Sequence, residues 1–261
     1  MLNTDQVNQF NRDGYLLLER YLSEHSVQLL VDELPILFTQ DSAEVYKQEN
    51  SEAIRTVFAP EKFSPIYEQA TRLASIVEPI KQLLQEEVYL FQSKFNTKVA
   101  LARGSWDWHQ DFTFWQDDGM PAARAITAAI YLQEVTEFSG AMVVIPGSHQ
   151  LGTVATRLEN PDGVHSEDLK YVISRAEIQH AAEQCGGMRS TKGPQGSVLF
   201  FHSNLLHASA QNLHHQNRDL LMLTYNPVSN ACRMVATPRP SYMVKRDSSA
   251  TIPTKKISKT V

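Results

Sequence analysis

Disulfide-stapled folds are the first class the sequence excludes. Cys185 and Cys232 are its only cysteines, too few for a framework, and they share no metal-binding spacing. A basic excess is also missing: the formal net charge is −5, and no basic face or stripe of the kind nucleic acid needs is evident. No apolar run approaches the ~20 residues needed to span a bilayer. Met1-Leu2-Asn3-Thr4-Asp5-Gln6 lacks the basic-then-apolar pattern of a signal peptide. These absences predict a soluble cytoplasmic protein with reduced thiols. With 261 residues, bulk alone suits one large β-rich domain or two small ones.

The order of elements decides for one domain over 1–261. Thr4 and Asp5 start a helix that Asp13-Gly14 ends, and Tyr15-Leu16-Leu17-Leu18 reads as a strand. Ser23 caps a second helix with Val27, Leu30, Val31 and Leu34 on its apolar face, and Pro35 should kink or end it. Residues 40–63 are weakly periodic and read as a covering loop containing Arg55. Ser64-Pro65 starts a further helix, which Pro79 should restart. From Val88 the pattern alternates, with Tyr89, Phe91, Ser93 and Phe95 on one side and Leu90, Gln92, Lys94 and Asn96 on the other. The second face suits a polar cavity or plain solvent. Strand-like runs follow at Arg124–Leu132, Gly140–Ile145, Ser197–Phe201 and Leu220–Tyr225. Residues 150–192 are long and irregular, as a mobile flap would be. The reading is a helical flank and cover over 1–87, a jelly-roll core over 88–237 and a wrapping or disordered tail over 238–261. The fold class is mainly β with flanking helices: a double-stranded β-helix of cupin type.

Two stretches carry the chemistry. In Trp106-Asp107-Trp108-His109-Gln110-Asp111-Phe112, a strand would put His109 and Asp111 on one face and turn Gln110 away. A second histidine from a distant strand would complete a two-histidine, one-carboxylate face, the arrangement of non-haem Fe(II) oxygenases. His202 and His207, in His202-Ser203-Asn204-Leu205-Leu206-His207, both qualify on spacing, with His207 slightly ahead. Read alone, Arg218 in Gln216-Asn217-Arg218-Asp219 is an exposed arginine, and Arg55 is a solvated one.

Linked blocks in order along the chain add a resemblance. They are Gln92-Ser93-Lys94-Phe95-Asn96, Trp108-His109-Gln110-Asp111-Phe112 with Trp115, Asp118-Gly119-Met120-Pro121, Pro146-Gly147-Ser148-His149, and Phe200 through Ser209. The opening from Thr4 to Leu16 belongs with them. Together they resemble the phytanoyl-CoA dioxygenase family of Fe(II)/2-oxoglutarate oxygenases, nearest its ectoine and free-amino-acid hydroxylase branch. The resemblance implies iron on His109, Asp111 and His207, with His202 not a ligand. It also implies 2-oxoglutarate on Arg218, Ser209, Asn96 and Lys94, where lysine replaces the ectoine branch's usual arginine. A guanidinium can grip the distal carboxylate through two parallel hydrogen bonds. The implied reaction consumes O2 and 2-oxoglutarate, hydroxylates an unactivated C–H bond, and releases succinate and CO2. Because Asp111 is present, hydroxylation is favoured over halogenation.

For the substrate, the resemblance points to Trp115, and Arg103, Arg55 or Gln92 are the candidate head-group contacts. Ala128 and Met222 stand where the ectoine branch tends to have serine and phenylalanine. A pocket bordered by them suits an aliphatic chain, so the expected substrate is a free aliphatic L-amino acid such as leucine. The alternatives are an ectoine-like, carrier-bound or acyl-CoA substrate, or a jelly roll that binds metal and ligand without catalysis.

Overall fold

The computed structural model of the chain describes residues 1–48, 51–154, 156–157, 171–249 and 252. Helix α1 (Thr4–Asp13) begins with a capping box, in which Asn3 accepts from the Gln6 N–H and the Gln6 side chain bonds back. Gly14 ends it at φ 75°, where a Cβ would sit 2.4 Å from the His149 ring. Strand β1 (Tyr15–Leu18) follows, then α2 (Glu24–Asp32), capped by Ser23, and α3 (Leu34–Phe38). Helix α2 ends just before Pro35, as expected, and Pro35 lies in the first turn of α3.

The segment expected to be a loop contains β2 (Val45–Lys47) and β3 (Ile54–Phe58), which is a correction. Both strands are too short for alternation to show, and pairing along β3 holds them in place. Helices α4 (Pro65–Ala70) and α5 (Ala74–Leu84) complete the flank. Pro79 lies inside α5 without interrupting it. Its missing N–H removes the helical bond to the carbonyl of Ser75, a half-buried residue.

The remaining elements are β4 (Val88–Lys98), β5 (Trp106–His109), α6 (Asp111–Trp115), β6 (Ile126–Tyr131), β7 (Met142–Val144), β8 (Thr156–Arg157), β9 (Tyr171–Val172), α7 (Arg175–Gln184), β10 (Arg189–Ser190), β11 (Val198–His202), β12 (His207–Ser209) and β13 (Arg218–Pro227). Helix α7 departs from the irregular reading of 150–192, although Ser174 and Glu177 form the capping box that announces it. Part of the expected flap, 155 and 158–170, lies outside the described residues.

Two antiparallel sheets make the jelly roll. The larger runs β1-β11-β6-β13-β4-β3-β2, and the smaller β10-β7-β12-β5. Three strands of the larger sheet therefore come from the first 87 residues, so that region is more than a helical flank. Alternation assigns each face. Ile126, Ala128, Ile130, Val198, Phe200, Leu221 and Leu223 join the main core under the helices. Ala129, Tyr131, Leu199, Phe201, Leu220 and Met222 turn towards the small sheet. Strand β4 breaks strict alternation at a bulge: Thr224 pairs with Gln92 and Tyr225 with Leu90, leaving Phe91 as the extra residue. Phe91 consequently packs on Trp115, at 5.2 Å between ring centres, on the same side as Gln92. Phe95 and Leu90 face the helices.

Candidate active site between the two sheets

Strands β12 and β5 place His207 directly opposite His109. Their ring centres are 4.1 Å apart. The expected strand does not carry both residues of the His-x-Asp pair. His109 ends β5, and Asp111 is the first residue of α6, with Gln110 at the turn between them. The helical turn still brings Asp111 Oδ1 to 3.8 Å from His109 Nε2. His109, Asp111 and His207 are all buried, and each offers a ligand atom within 4.8 Å of the others. Among the described residues this is the one group able to hold a metal.

Local hydrogen bonds prepare both histidines. His109 Nδ1 lies 2.6 Å from the Asp107 carbonyl, and His207 Nδ1 lies 2.9 Å from the Leu205 carbonyl. An Nδ1–H donated to each carbonyl leaves Nε2 with its lone pair towards the shared point. Burial, then the neighbouring His207, push the His109 pKa down to about 3, so the imidazole is neutral and competent as a ligand. Gln110 is fully buried and braces the turn. Its amide donates to the carbonyls of Gly152 and Asn204, at 2.8 Å each, and its oxygen accepts from Val154 N–H at 2.9 Å.

His202 lies elsewhere. It ends β11, meets the tilted His149 ring at 5.2 Å between centres, and lines a separate recess with Phe10, Leu83 and Arg124. The choice that spacing left open therefore falls to His207.

One side of the metal-ligand group opens into a recess of about 50 Å³ that reaches Arg218, Ser209, Lys94, Asn96 and Met222. Arg218 is not the exposed arginine that its polar neighbours suggest. It is 4% exposed, and its Nε is buried with no hydrogen-bond partner among the described residues. Burial pulls its pKa down to about 10, which still leaves it charged. A buried guanidinium with an unpaired donor fits a carboxylate, because an unpaired buried charge is costly. Lys94 also has its pKa lowered, first by burial, while Asp111 opposes that shift. Asn96 accepts from Thr56 Oγ1 at 2.9 Å and donates to Met222 Sδ at 3.2 Å, so its amide is partly committed.

The other side opens into a cavity of about 250 Å³ lined by His109, Asp111, Lys94, Gln92, Phe58, Phe114, Trp115, Arg55, Trp106, Arg239 and Met243, among others. Gln92 donates to the Met243 carbonyl at 2.7 Å. Two expectations fail here. Ala128 is fully buried on the helix side of β6, because the inward positions of that strand are 127, 129 and 131. Arg103 is exposed in the β4–β5 connection and lines an adjoining groove with Lys98 and Ser105 rather than this cavity. Arg55 changes in the opposite sense: it belongs to β3, and its guanidinium lies 4.0 Å over the Trp106 ring.

Sequence reasoning missed Trp106, Phe58, Phe114, Arg239 and Met243. Trp106 shares a face with His109 through an irregularity in β5, where three steps along β5 match two along β12. Arg239 and Met243 come from the segment after β13, which has no periodic pattern. This segment is pinned rather than loose, with Arg233 N–H bonded to the Gly119 carbonyl and Lys245 N–H to the Phe91 carbonyl.

The jelly roll, the buried histidine pair with one carboxylate, and the buried arginine with an unpartnered Nε define an Fe(II)/2-oxoglutarate-dependent dioxygenase. Residues 10–219 match the phytanoyl-CoA dioxygenase (PhyH) family, and the chain belongs to it. It is 36% identical over 254 residues to L-proline trans-4-hydroxylase of Streptomyces griseoviridis, covering 94% of this chain and 93% of that one. It is 32% identical over 260 residues to ectoine dioxygenase of Bordetella bronchiseptica, covering 95% and 83%. Among solved structures, EctD from S. alaskensis with 2-oxoglutarate and 5-hydroxyectoine superposes with a TM-score of 0.84 at 28% identity, over 97% of this chain and 87% of that one. This enzyme is thus a hydroxylase of small substrates that requires iron and 2-oxoglutarate. No helix among the described residues is long and apolar enough to cross a membrane.

Proposed function

We propose that the enzyme hydroxylates a free aliphatic L-amino acid such as leucine. One observation carries the reading: a single cavity is lined by His109 and Asp111, by a fixed guanidinium at Arg239, and by Phe58, Phe114, Trp115 and Met243. A carboxylate fits the guanidinium, and an aliphatic chain fits the apolar walls. Gln92 spends its amide N–H on Met243, which leaves its oxygen to accept from the substrate ammonium. At about 250 Å³ the cavity is at the small end of ligand sites and does not suit a coenzyme A thioester.

On this reading His109, Asp111 and His207 hold Fe(II), and Arg218 pairs with the distal carboxylate of 2-oxoglutarate, with Ser209 and Lys94 beside it. When bound, iron and 2-oxoglutarate supply the O2-dependent oxidation of a C–H bond, yielding succinate and CO2. The chain supplies orientation. Two carbonyl-tethered imidazoles fix the ligand face, Arg218 fixes the cosubstrate, and the aromatic walls exclude water.

The test is anaerobic loading with Fe(II), 2-oxoglutarate and a panel of leucine, isoleucine, valine, proline and ectoine, followed by O2. Succinate formed together with one added oxygen on an aliphatic amino acid is the expected result. Hydroxylation of ectoine alone would replace the amino acid reading. Succinate with none of the panel altered would turn the search to carrier-bound substrates.

A further inference from the structure

We propose that Asp118 positions Arg239 for the substrate carboxylate, so that helix α6 sets the separation between the metal ligand Asp111 and the substrate's anchor. The proposal rests on the reading of Arg239 as that anchor. Arg239 sits in a segment without helix or strand, where a long side chain would ordinarily sample many rotamers. Asp118 removes that freedom. It is 2% exposed and receives Arg239 Nε at 3.0 and 3.1 Å on its two oxygens, with Arg239 Nη2 completing the fork. Arg246 Nη2 approaches the same carboxylate at 3.8 Å.

The charges explain why this cluster faces a ligand. One buried carboxylate serves two guanidinium groups, leaving a net single positive charge beside the cavity. Arg239 commits Nε and Nη2 to Asp118, so Nη1 remains for the cavity that its side chain lines. A substrate carboxylate arriving there balances the cluster. Without Asp118 the two cations would face one another unscreened.

The connection to the metal is short and stiff. Asp111 opens α6, Trp115 closes it, and the Trp115 carbonyl accepts from both Asp118 N–H at 3.1 Å and Met120 N–H at 3.0 Å. Gly119 N–H bonds to the Gln116 carbonyl, and the Gly119 carbonyl accepts Arg233 N–H at 2.9 Å. The run from Asp111 to Asp118 therefore behaves as one rigid piece, with a metal ligand at one end and the carboxylate that holds Arg239 at the other. The carbon presented to the oxidant depends on that spacing.

The experiment uses full-length protein loaded anaerobically with Co(II) and 2-oxoglutarate, with L-leucine and L-leucinamide as probes in calorimetric titrations. Wild type should bind leucine at least tenfold more tightly than the amide. Asp118→Asn should weaken leucine by roughly 10- to 100-fold, as loss of a charge-assisted contact implies. Leucinamide and 2-oxoglutarate affinities should stay within a few-fold. Arg239→Gln should show the same loss, and the double variant no more than either single one. If Arg239→Gln leaves leucine binding unchanged, or wild type does not prefer leucine to its amide, the anchor reading itself fails. If Arg239→Gln weakens leucine while Asp118→Asn does not, or the two losses add, only the positioning role is overturned. Should Asp118→Asn fail to fold, Asp118→Glu keeps the ion pair. It should lower leucine affinity and shift the ratio of hydroxylated carbons, with 2-oxoglutarate binding intact. An unchanged product ratio and affinity would overturn the proposal.

Discussion

At the cosubstrate end of the cavity, His207, Ser209 and Arg218 stand on β12 and β13, each strand paired on both sides. At the substrate end, Trp115 comes from a five-residue helix, and Arg239 and Met243 from a segment with no regular structure. Ladder hydrogen bonds fix the first set, whereas individual side-chain clasps fix the second. Groups that must keep one geometry for the oxidation lie on the sheets. On the proposed assignment, Trp115, Arg239 and Met243 meet the substrate from segments that can change without disturbing the sheet. Each end should therefore break separately.

The largest effect is expected from Asp111→Ala. Removing one of three ligands opens the metal site, so metal analysis after anaerobic loading should show loss of iron, and coupled turnover should fall by at least about 10³-fold. His202→Gln, by contrast, should retain iron, because His202 faces the recess on the other side of the larger sheet. Loss of iron in that variant would overturn the ligand assignment.

Next comes Arg218→Gln. It removes the charge but keeps a polar side chain, so 2-oxoglutarate should bind roughly 30- to 100-fold more weakly, as measured by calorimetry with Co(II) in place of iron. Metal binding should be unchanged, and leucine binding should fall only as far as it depends on bound cosubstrate. Equal loss of all three affinities would mean that the ends are not separable.

The same contrast explains what could be read from the sequence. The sheet core was legible because β6, β11 and β13 are short, nearly continuous apolar runs bounded by turn residues. The blocks around His109 and His207 were legible because ligand chemistry restricts residue type. Positions governed by a local irregularity were not. A turn into α6, rather than a strand, presents Asp111, and a bulge carries Phe91 over to the side of Gln92. Ala128 was misplaced because the face of β6 depends on its register with β11 and β13, which a single strand does not reveal. Arg239 was missed because its role comes from Asp118, 121 residues away in the chain, and no periodicity marks such a pair.

A smaller effect tests the clasp from its backbone side. Gly119 has φ +92°, and a Cβ there would lie 2.2 Å from the Arg233 carbonyl oxygen. Gly119→Ala must push the segment after β13 away from the 115–120 turn, or strain both. The expected result is a rise in substrate KM of roughly 5- to 10-fold with little change in 2-oxoglutarate affinity, corresponding to about 1 kcal/mol. If cosubstrate affinity fell equally, the turn would be supporting both ends, and the division drawn above would not hold.

The smallest effect on the reaction, read in stability instead, concerns a pair that belongs to neither end. His202 Nδ1 accepts the Asn204 N–H at 3.1 Å, and its ring lies against the tilted ring of His149. Burial, then His149, push the His202 pKa from 6.5 down to about 4, and burial also lowers that of His149. Protonating His202 Nδ1 would set one N–H against another and place two cations ring to ring. In the unfolded chain His202 takes up its proton near pH 6.5, whereas the folded protein resists until about pH 4. Stability present above pH 6.5 is therefore lost as the pH falls through that window, and the loss is complete below it. Urea unfolding at pH 7.5, 5.5 and 4 should show His202→Gln losing less stability across the window than wild type, by on the order of 1–2 kcal/mol. Because the glutamine side chain of that variant carries no titrating proton, an identical slope in the two proteins would assign the acid sensitivity to groups other than this pair.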